Sequence, residues 1–182
     1  MTDTLKPDLW RKTWRLVLWG GAGALLLLPL VAMQFTTEVA WTGSDFAVFG
    51  AMLLCALGAF ELAVRLSGHW AYRAAAGLAI LTGFALVWVS LAVGIIGAED
   101  NPANLIFAAV LGVGLIGTLI VRFQARRMVW VLMSMALVQG VGAVIALSDG
   151  YPATILTAMF GVSWLVSAGL FHKAANATEK AS

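Results

Sequence analysis

Residues 105–127 read LIFAAVLGVGLIGTLIVRFQARR, and the fold class follows from what this stretch contains. Its first 17 residues carry no ionisable group, and the next six include three arginines. A helix of about 20 residues, with a range of about 17–25, crosses the hydrocarbon core of a bilayer. In lipid the backbone polar groups have to bond within the segment, which favours an α-helix. The stretch therefore predicts a transmembrane helix that ends in basic residues at the membrane surface.

Five further apolar runs of this kind occur along the chain. The six predicted spans are residues 16–33, 46–64, 74–97, 105–121, 128–147 and 155–171. Composition agrees, because 62% of the residues are apolar and only 11% are charged, which is far from the usual soluble mixture. None of the runs alternates polar and apolar residues as the strands of a membrane β-barrel do. We therefore predict an all-α integral membrane bundle of six transmembrane helices joined by short loops.

The basic residues all fall on one side when the six spans are threaded alternately across a bilayer. That side receives all 11 of them: Lys6, Arg11, Lys12, Arg15, Arg65, Arg73, Arg122, Arg126, Arg127, Lys173 and Lys180. On the other side, the charged residues of the loops are all acidic: Glu38, Asp45, Glu99, Asp100 and Asp149. Basic residues mark the cytoplasmic side, so both termini are predicted to be cytoplasmic. Because these side chains meet anionic headgroups, the lipid bilayer is the expected partner and nucleic acid is not.

Two short segments flank the predicted transmembrane domain of residues 16–171. Residues 1–15 combine Trp10 and Trp14 with basic side chains, which is typical of a segment at the membrane interface. Residues 172–182 are polar and are predicted to form a disordered cytoplasmic tail. The first span resembles a signal peptide in its basic flank, but it lacks a convincing small-x-small cleavage site. It is therefore predicted to be an uncleaved helix.

One glycine motif, Gly112-Val-Gly114-Leu-Ile-Gly117, matches the dinucleotide-binding pattern G-x-G-x-x-G. That chemistry needs a strand before the glycines and a helix N-terminus to receive the pyrophosphate. Here the glycines fall inside an apolar helix, so we interpret them as sites of close helix contact. The two histidines, His69 and His172, fall at the basic boundary, whereas membrane haem ligands normally lie within the spans. No catalytic, cofactor or metal site is predicted.

Glu61 and Arg65 form the one ionisable pair that reaches into a predicted span. At i,i+4 spacing, with the acid nearer the N-terminus, their side chains meet on one helix face in the favourable order. A structural ion pair is the preferred interpretation. The alternative is a proton or cation relay, because acids inside membranes are a common feature of such relays.

The acids of the opposite side have a helix-capping explanation. Asp45 directly precedes the second span, and Glu99 and Asp100 precede an Asn101-Pro102 pair suited to the start of the fourth. Carboxylates near helix N-termini complement the helix dipole. The alternative is a cation site built from these acids together with Glu38 and Asp149, whose oxygen ligands would favour Ca²⁺ or Mg²⁺.

Most tryptophans and tyrosines are placed near the predicted membrane surfaces, as in an aromatic belt. Trp88 and Trp164 are the exceptions, since both are predicted near the middle of a span. A buried indole N–H seeks a hydrogen-bond acceptor. Both rings are therefore predicted to face the interior of the bundle as packing anchors.

The run from Trp88 to Asn104, WVSLAVGIIGAEDNPAN, resembles a family of small, uncharacterised multi-pass bacterial inner-membrane proteins. FELAVR at 60–65, AYRAAAG at 71–77 and QFTTEVAW at 34–41 fit the same family, so the resemblance covers roughly residues 30–147. Family members often carry Asn where this chain has Ser90, which argues against an essential amide at that position. The resemblance implies a bacterial inner-membrane location. It also directs attention to Glu38, Trp41, Glu61, Trp88, Glu99, Asp100, Asn101 and Asn104.

Two functions are compatible with these features, and neither is enzymatic. The preferred one is an accessory or scaffolding subunit that packs against itself or a larger membrane complex, since few polar groups are available in the spans to coordinate a solute. The alternative is a small-solute or ion transporter or channel. Its inner polar group would be Glu61, and its outer mouth would be formed by Glu38, Asp45 and the turn at 99–104.

Overall fold

The chain consists almost entirely of helices in a computed structural model that describes residues 6–92, 95–96, 101–147 and 151–180. The α-helices are α1 (Lys6–Ala32), α2 (Gly43–Leu66), α3 (Trp70–Ala92), α4 (Leu105–Ile120), α5 (Ala125–Ala146) and α6 (Tyr151–Glu179), with a 3-10 helix, Pro102–Asn104, directly before α4. All six helical segments are long and apolar enough to cross a membrane. The described residues contain no strand. The prediction of an all-α protein with six transmembrane helices is confirmed.

The ends of α3 and α6 differ from the prediction. α3 ends at Ala92 rather than at residue 97. α6 continues to Glu179, so helix replaces most of the disordered tail predicted for residues 172–182. Alanine-rich sequence favours helix, and Ala174 is buried against the rest of the protein. At the other end of the chain, α1 already begins at Lys6, inside the predicted interfacial segment.

The chain divides into two compact units, Met1–Ala59 and Phe60–Ser182. In the first unit the side chain of Leu26 in α1 lies against Gly50 in α2. The second unit contains the last part of α2 and all of α3 to α6.

The start of α2 is fixed by interactions among neighbouring residues. The Asp45 carboxylate accepts hydrogen bonds from the backbone N–H of Thr42 at 2.7 Å and from its hydroxyl at 2.8 Å. Thr42 occupies the N-cap position and Asp45 the third helical position, as in a capping box. The ring of Trp41 packs edge-on against Phe46 and Phe49, with centroids 5.1 and 5.4 Å away. The contact between Trp41 and Phe46 joins the positions of a hydrophobic staple, which sets the direction from which the chain enters the helix.

In the second unit the helices pack in the order α4, α5, α6, α3. The face of α5 that enters the core is a stripe of buried residues, most of them three or four apart: Met128, Val131, Leu132, Met135, Gln139, Gly142 and Ala146. This spacing is that of one helix face. Trp164, Phe171 and Phe107 are the largest fully buried side chains. A hydroxyl joins two helices directly, because Ser167 of α6 donates a hydrogen bond of 2.8 Å to the carbonyl of Ala75 in α3.

Two glycines of the G-x-G-x-x-G motif allow α4 to approach α5 closely. A Cβ atom at Gly114 would lie 2.6 Å from Met135 Cε, and one at Gly117 would lie 2.8 Å from Val131 Cγ1. Gly112 has no such neighbour within 4 Å. Small residues at helix interfaces in membranes permit this kind of backbone approach. The interpretation of the motif as a helix contact is therefore confirmed for Gly114 and Gly117.

Candidate functional site

Glu61 and Arg65 form the predicted ion pair, with 3.2 Å between Glu61 Oε2 and Arg65 Nη2. The Glu61 side chain is 15% exposed and that of Arg65 is 68% exposed. The carboxylate is thus largely buried, whereas the guanidinium is exposed at the end of α2. A cation at the last turn of a helix also complements the helix dipole.

The acids predicted for the opposite side are only partly described. α2 begins at Gly43, so Asp45 lies in its first turn rather than before it, and its carboxylate caps the helix through Thr42. Glu38 is exposed, and its backbone N–H donates to the hydroxyl of Thr36 at 3.1 Å. In the parts of the chain with described coordinates, no three His, Cys, Asp or Glu side chains come together. Three of the predicted residues lie outside the described residues: Glu99, Asp100 and Asp149.

Asn101 and Asn104 both bind the backbone of the turn before α4. Asn101 is the N-cap of the 3-10 helix, because its Oδ1 accepts a hydrogen bond from the Ala103 N–H at 3.0 Å. Asn104 Oδ1 accepts from the N–H groups of Ile95 at 3.2 Å and Ile96 at 2.9 Å, and its Nδ2 donates to the Ile96 carbonyl at 3.2 Å. Both isoleucines are buried. The side chain of Asn104 therefore holds the backbone of Ile95 and Ile96, which lie after α3.

The two mid-span tryptophans differ in burial. Trp164 is 1% exposed, as predicted for a residue that faces the interior, whereas Trp88 is half-buried. Within the described residues, the indole N–H of Trp164 has no hydrogen-bond acceptor. Its ring reaches α3, where it would lie 3.7 Å from a Cβ atom at Gly83.

Gln139 is a buried polar residue that the sequence analysis did not predict as a site residue. It is 0% exposed, and neither its side-chain nitrogen nor its oxygen has a partner among the described residues. Its Cγ lies 3.7 Å from the position of a Cβ at Gly161, so the amide is directed toward α6. A single glutamine in the buried stripe of α5 was the available signal, because a polar residue inside a membrane helix is costly.

We expect Gln139→Met to stabilise the protein by about 1–2 kcal/mol, because it replaces an unpaired buried amide by an apolar side chain of similar length. The measurement is reversible unfolding in mixed detergent micelles. Gln124→Met is the matched control, since Gln124 is exposed at the start of α5 and its change should stay within about 0.5 kcal/mol. Destabilisation by Gln139→Met would contradict the expectation and would indicate that the amide has a bound partner.

At one end of the second unit, basic and aromatic side chains come together. Tyr72 donates a hydrogen bond of 2.9 Å to the carbonyl of Phe123 in the turn between α4 and α5. Arg126 at the start of α5 pairs with Glu179 at the end of α6, with 3.3 Å between nitrogen and oxygen. A groove of about 730 Å³ opens beside these residues. These contacts place five helix termini at the same end of the second unit, namely the ends of α2, α4 and α6 and the starts of α3 and α5.

Two further cations at this end have partners of their own. Arg73 Nε donates to the carbonyl of Ser67 at 2.9 Å, and its Nη2 donates to that of Val64 at 3.3 Å. The side chain therefore caps the C-terminal end of α2 from the first turn of α3. Lys173 Nζ lies over the ring of Trp70, 4.6 Å from its centroid, which is within the range of a cation–π interaction.

The turn between α4 and α5 has an unusual backbone. Arg122 and Phe123 have φ angles of 51° and 61°, a left-handed conformation that residues other than glycine rarely adopt. Such residues cost of order 1–3 kcal/mol each and persist where surrounding contacts hold them. The hydrogen bond from Tyr72 to the Phe123 carbonyl is one such contact. The turn leaves the side chain of Arg122 exposed between the two helices.

Comparison of the chain with protein-family models, curated proteins and solved structures finds no significant match.

Proposed function

We propose that the protein is an accessory subunit of the bacterial inner membrane, with both termini in the cytoplasm, that acts by packing against other membrane proteins or against a second copy of itself. The observation that carries this proposal is the use of polar side chains within the spans. Arg73 and Asn104 bind the chain's own backbone, and Glu61 is paired with Arg65. Side chains employed in this way have fewer donors and acceptors left to coordinate a solute.

The hydroxyl groups within the helices support the same proposal. Thr82, Ser90 and Thr157 each donate a hydrogen bond of 2.7 Å to the carbonyl four residues earlier in their own helix. Hydroxyls bonded in this way have their donors satisfied within their own helix. The cytoplasmic location of the termini rests on the distribution of basic residues, and the bacterial setting rests on the resemblance in Trp88–Asn104.

A transporter or channel is the second candidate, and one observation favours it. The unpaired amide of Gln139 and the unpaired indole N–H of Trp164 are polar groups buried in helices that span the membrane. Buried polar groups inside membranes often contact a transported solute or ion. If the protein is a transporter or channel, Glu61 would be a further polar group along the path of the solute.

The experiment is gentle extraction of the tagged protein from its own membranes, followed by native electrophoresis and mass spectrometry. We expect a stoichiometric membrane partner or a defined homo-oligomer, retained in the variants Glu61→Gln and Arg65→Gln. Each variant removes the same ion pair, whose contribution at an i,i+4 position is about 0.3–0.5 kcal/mol, so folding should be nearly unchanged.

Flux assays on the same two variants in liposomes separate the candidates. An accessory subunit predicts that neither variant alters solute or ion flux. Loss of flux in Glu61→Gln with retention in Arg65→Gln would contradict the accessory role, because only the first removes the carboxylate. A monomer without any partner, combined with such a flux, would assign the protein to transport.

A further inference from the structure

A second groove lies on the outer surface of the second unit, between α4 and α5. Its volume is about 290 Å³, and it is lined by Val113 and Gly117 of α4, by Val121 at the C-cap of that helix, and by Arg127, Trp130, Val131 and Ser134 from α5. The first three residues are four positions apart, so they form one column about 12 Å long at 1.5 Å per residue. The absence of a side chain at Gly117 leaves the middle of this column open.

The polarity of the groove changes along its length. Arg127 lies in the first turn of α5, next to Arg126 and shortly after Arg122 of the α4–α5 turn, and Trp130 is 68% exposed one turn further along. The rest of the lining is apolar except for the hydroxyl of Ser134. A guanidinium and an indole above an apolar column match the order of headgroup, interface and hydrocarbon in a bilayer leaflet.

The charge at the mouth of the groove is unbalanced. No described residue forms an ion pair with Arg127. Arg126 and Arg127 also lie at the N-terminal end of α5, where the helix dipole favours anions rather than cations. The N-cap residue, Gln124, makes no side-chain capping bond there. An anion at this position would offset both the positive side chain and the uncapped helix end.

We propose that this groove binds one phospholipid with an anionic headgroup, whose phosphate meets Arg127 and whose acyl chain follows the Val113–Gly117–Val121 column. Basic sites at the cytoplasmic ends of transmembrane helices are known to select anionic headgroups. The apolar column supplies contact for the chain, and the guanidinium supplies the selectivity for charge. The site is independent of the accessory role proposed for the protein.

The test is native mass spectrometry of the full chain in detergent, titrated with phosphatidylglycerol or with phosphatidylcholine of the same acyl chains. We expect one phosphatidylglycerol to bind more tightly than phosphatidylcholine. Arg127→Gln should weaken phosphatidylglycerol binding about fivefold, the factor expected for one surface basic residue acting on an anionic lipid, and should leave phosphatidylcholine unchanged. Val113→Phe, which fills the column, should weaken the binding of both lipids.

Lys180→Gln is the matched control, because it makes the same change in net charge at an exposed position outside the groove. We expect it to bind phosphatidylglycerol as the wild type does. Equal weakening by Arg127→Gln and Lys180→Gln would overturn the proposal, since it would mean that only the overall charge attracts the lipid. Unchanged binding in Val113→Phe would overturn the placement of the acyl chain. Arg127 is exposed, so loss of folding is not expected to obscure either result.

Discussion

Asn104→Ala should lower the free energy of unfolding by about 3 kcal/mol, because two buried backbone N–H groups lose their acceptor at a cost of about 1–3 kcal/mol each. The groups belong to Ile95 and Ile96, whose hydrogen bonds to Asn104 Oδ1 measure 3.2 and 2.9 Å. The substitution also removes the donor to the Ile96 carbonyl. Reversible unfolding in mixed detergent micelles, followed by circular dichroism, measures the loss.

Asn101→Ala is the control for this prediction. Asn101 lies in the same turn and makes one capping hydrogen bond, to the N–H of Ala103. Loss of an N-cap side chain typically costs about 1 kcal/mol. Equal losses for the two variants would show that the bonds from Asn104 to the segment after α3 contribute nothing beyond ordinary capping.

Gly117→Leu should destabilise the protein by about 2–3 kcal/mol, a cost typical of overpacking, because the added side chain starts in forced contact with α5. Any Cβ at this position would lie 2.8 Å from Cγ1 and 3.1 Å from Cγ2 of Val131. Valine is stiff about χ1 in a helix, so it cannot turn away and the two helices would have to separate. At Gly114 the neighbour is the flexible end of Met135, so a substitution there should cost less.

Gly112→Leu is the matched control, since Gly112 lies in the same helix with no neighbour of this kind within 4 Å. Both variants gain the same intrinsic helix propensity, so the difference between their unfolding free energies isolates the contact with α5. We expect Gly112→Leu to change stability by less than about 1 kcal/mol. Similar destabilisation by both would contradict a specific approach of α4 to α5 at Gly117.

Much of the fold could be predicted because the bilayer sets strong and simple constraints on a chain. Long apolar runs are obliged to be helical in lipid, which fixed the number of helices in the prediction. Local rules also worked at helix starts: Asn101 caps the helix it precedes, and Asp45 caps α2. The pairing of Glu61 with Arg65 followed from i,i+4 spacing. Each of these features depends on residues close together in the chain.

The features that could not be predicted depend on contacts between distant residues. Asn104 binds the backbone of Ile95 and Ile96, eight or nine residues earlier, and the extension of α6 places Glu179 beside Arg126. Gln139 could be noticed in the sequence. Its amide has no hydrogen-bond partner among the described residues, however, and this follows only from the packing of α5 against α6. The grooves between helices likewise require the helix order, which hydrophobic runs do not specify.

Arg73 illustrates how orientation and structure can be encoded in one side chain. Its charge contributes to the distribution that orients the protein, while two of its nitrogens bind the carbonyl of Val64, in the last turn of α2, and that of Ser67, directly after the helix. A lysine would preserve the charge but has a single nitrogen and a different geometry. Over evolutionary time, arginine and lysine should therefore exchange freely where only orientation is required, and far less freely here. Replacement of arginine by lysine does not change the charge that orients a membrane protein. A substitution of this kind therefore identifies the cations that also hold helices together.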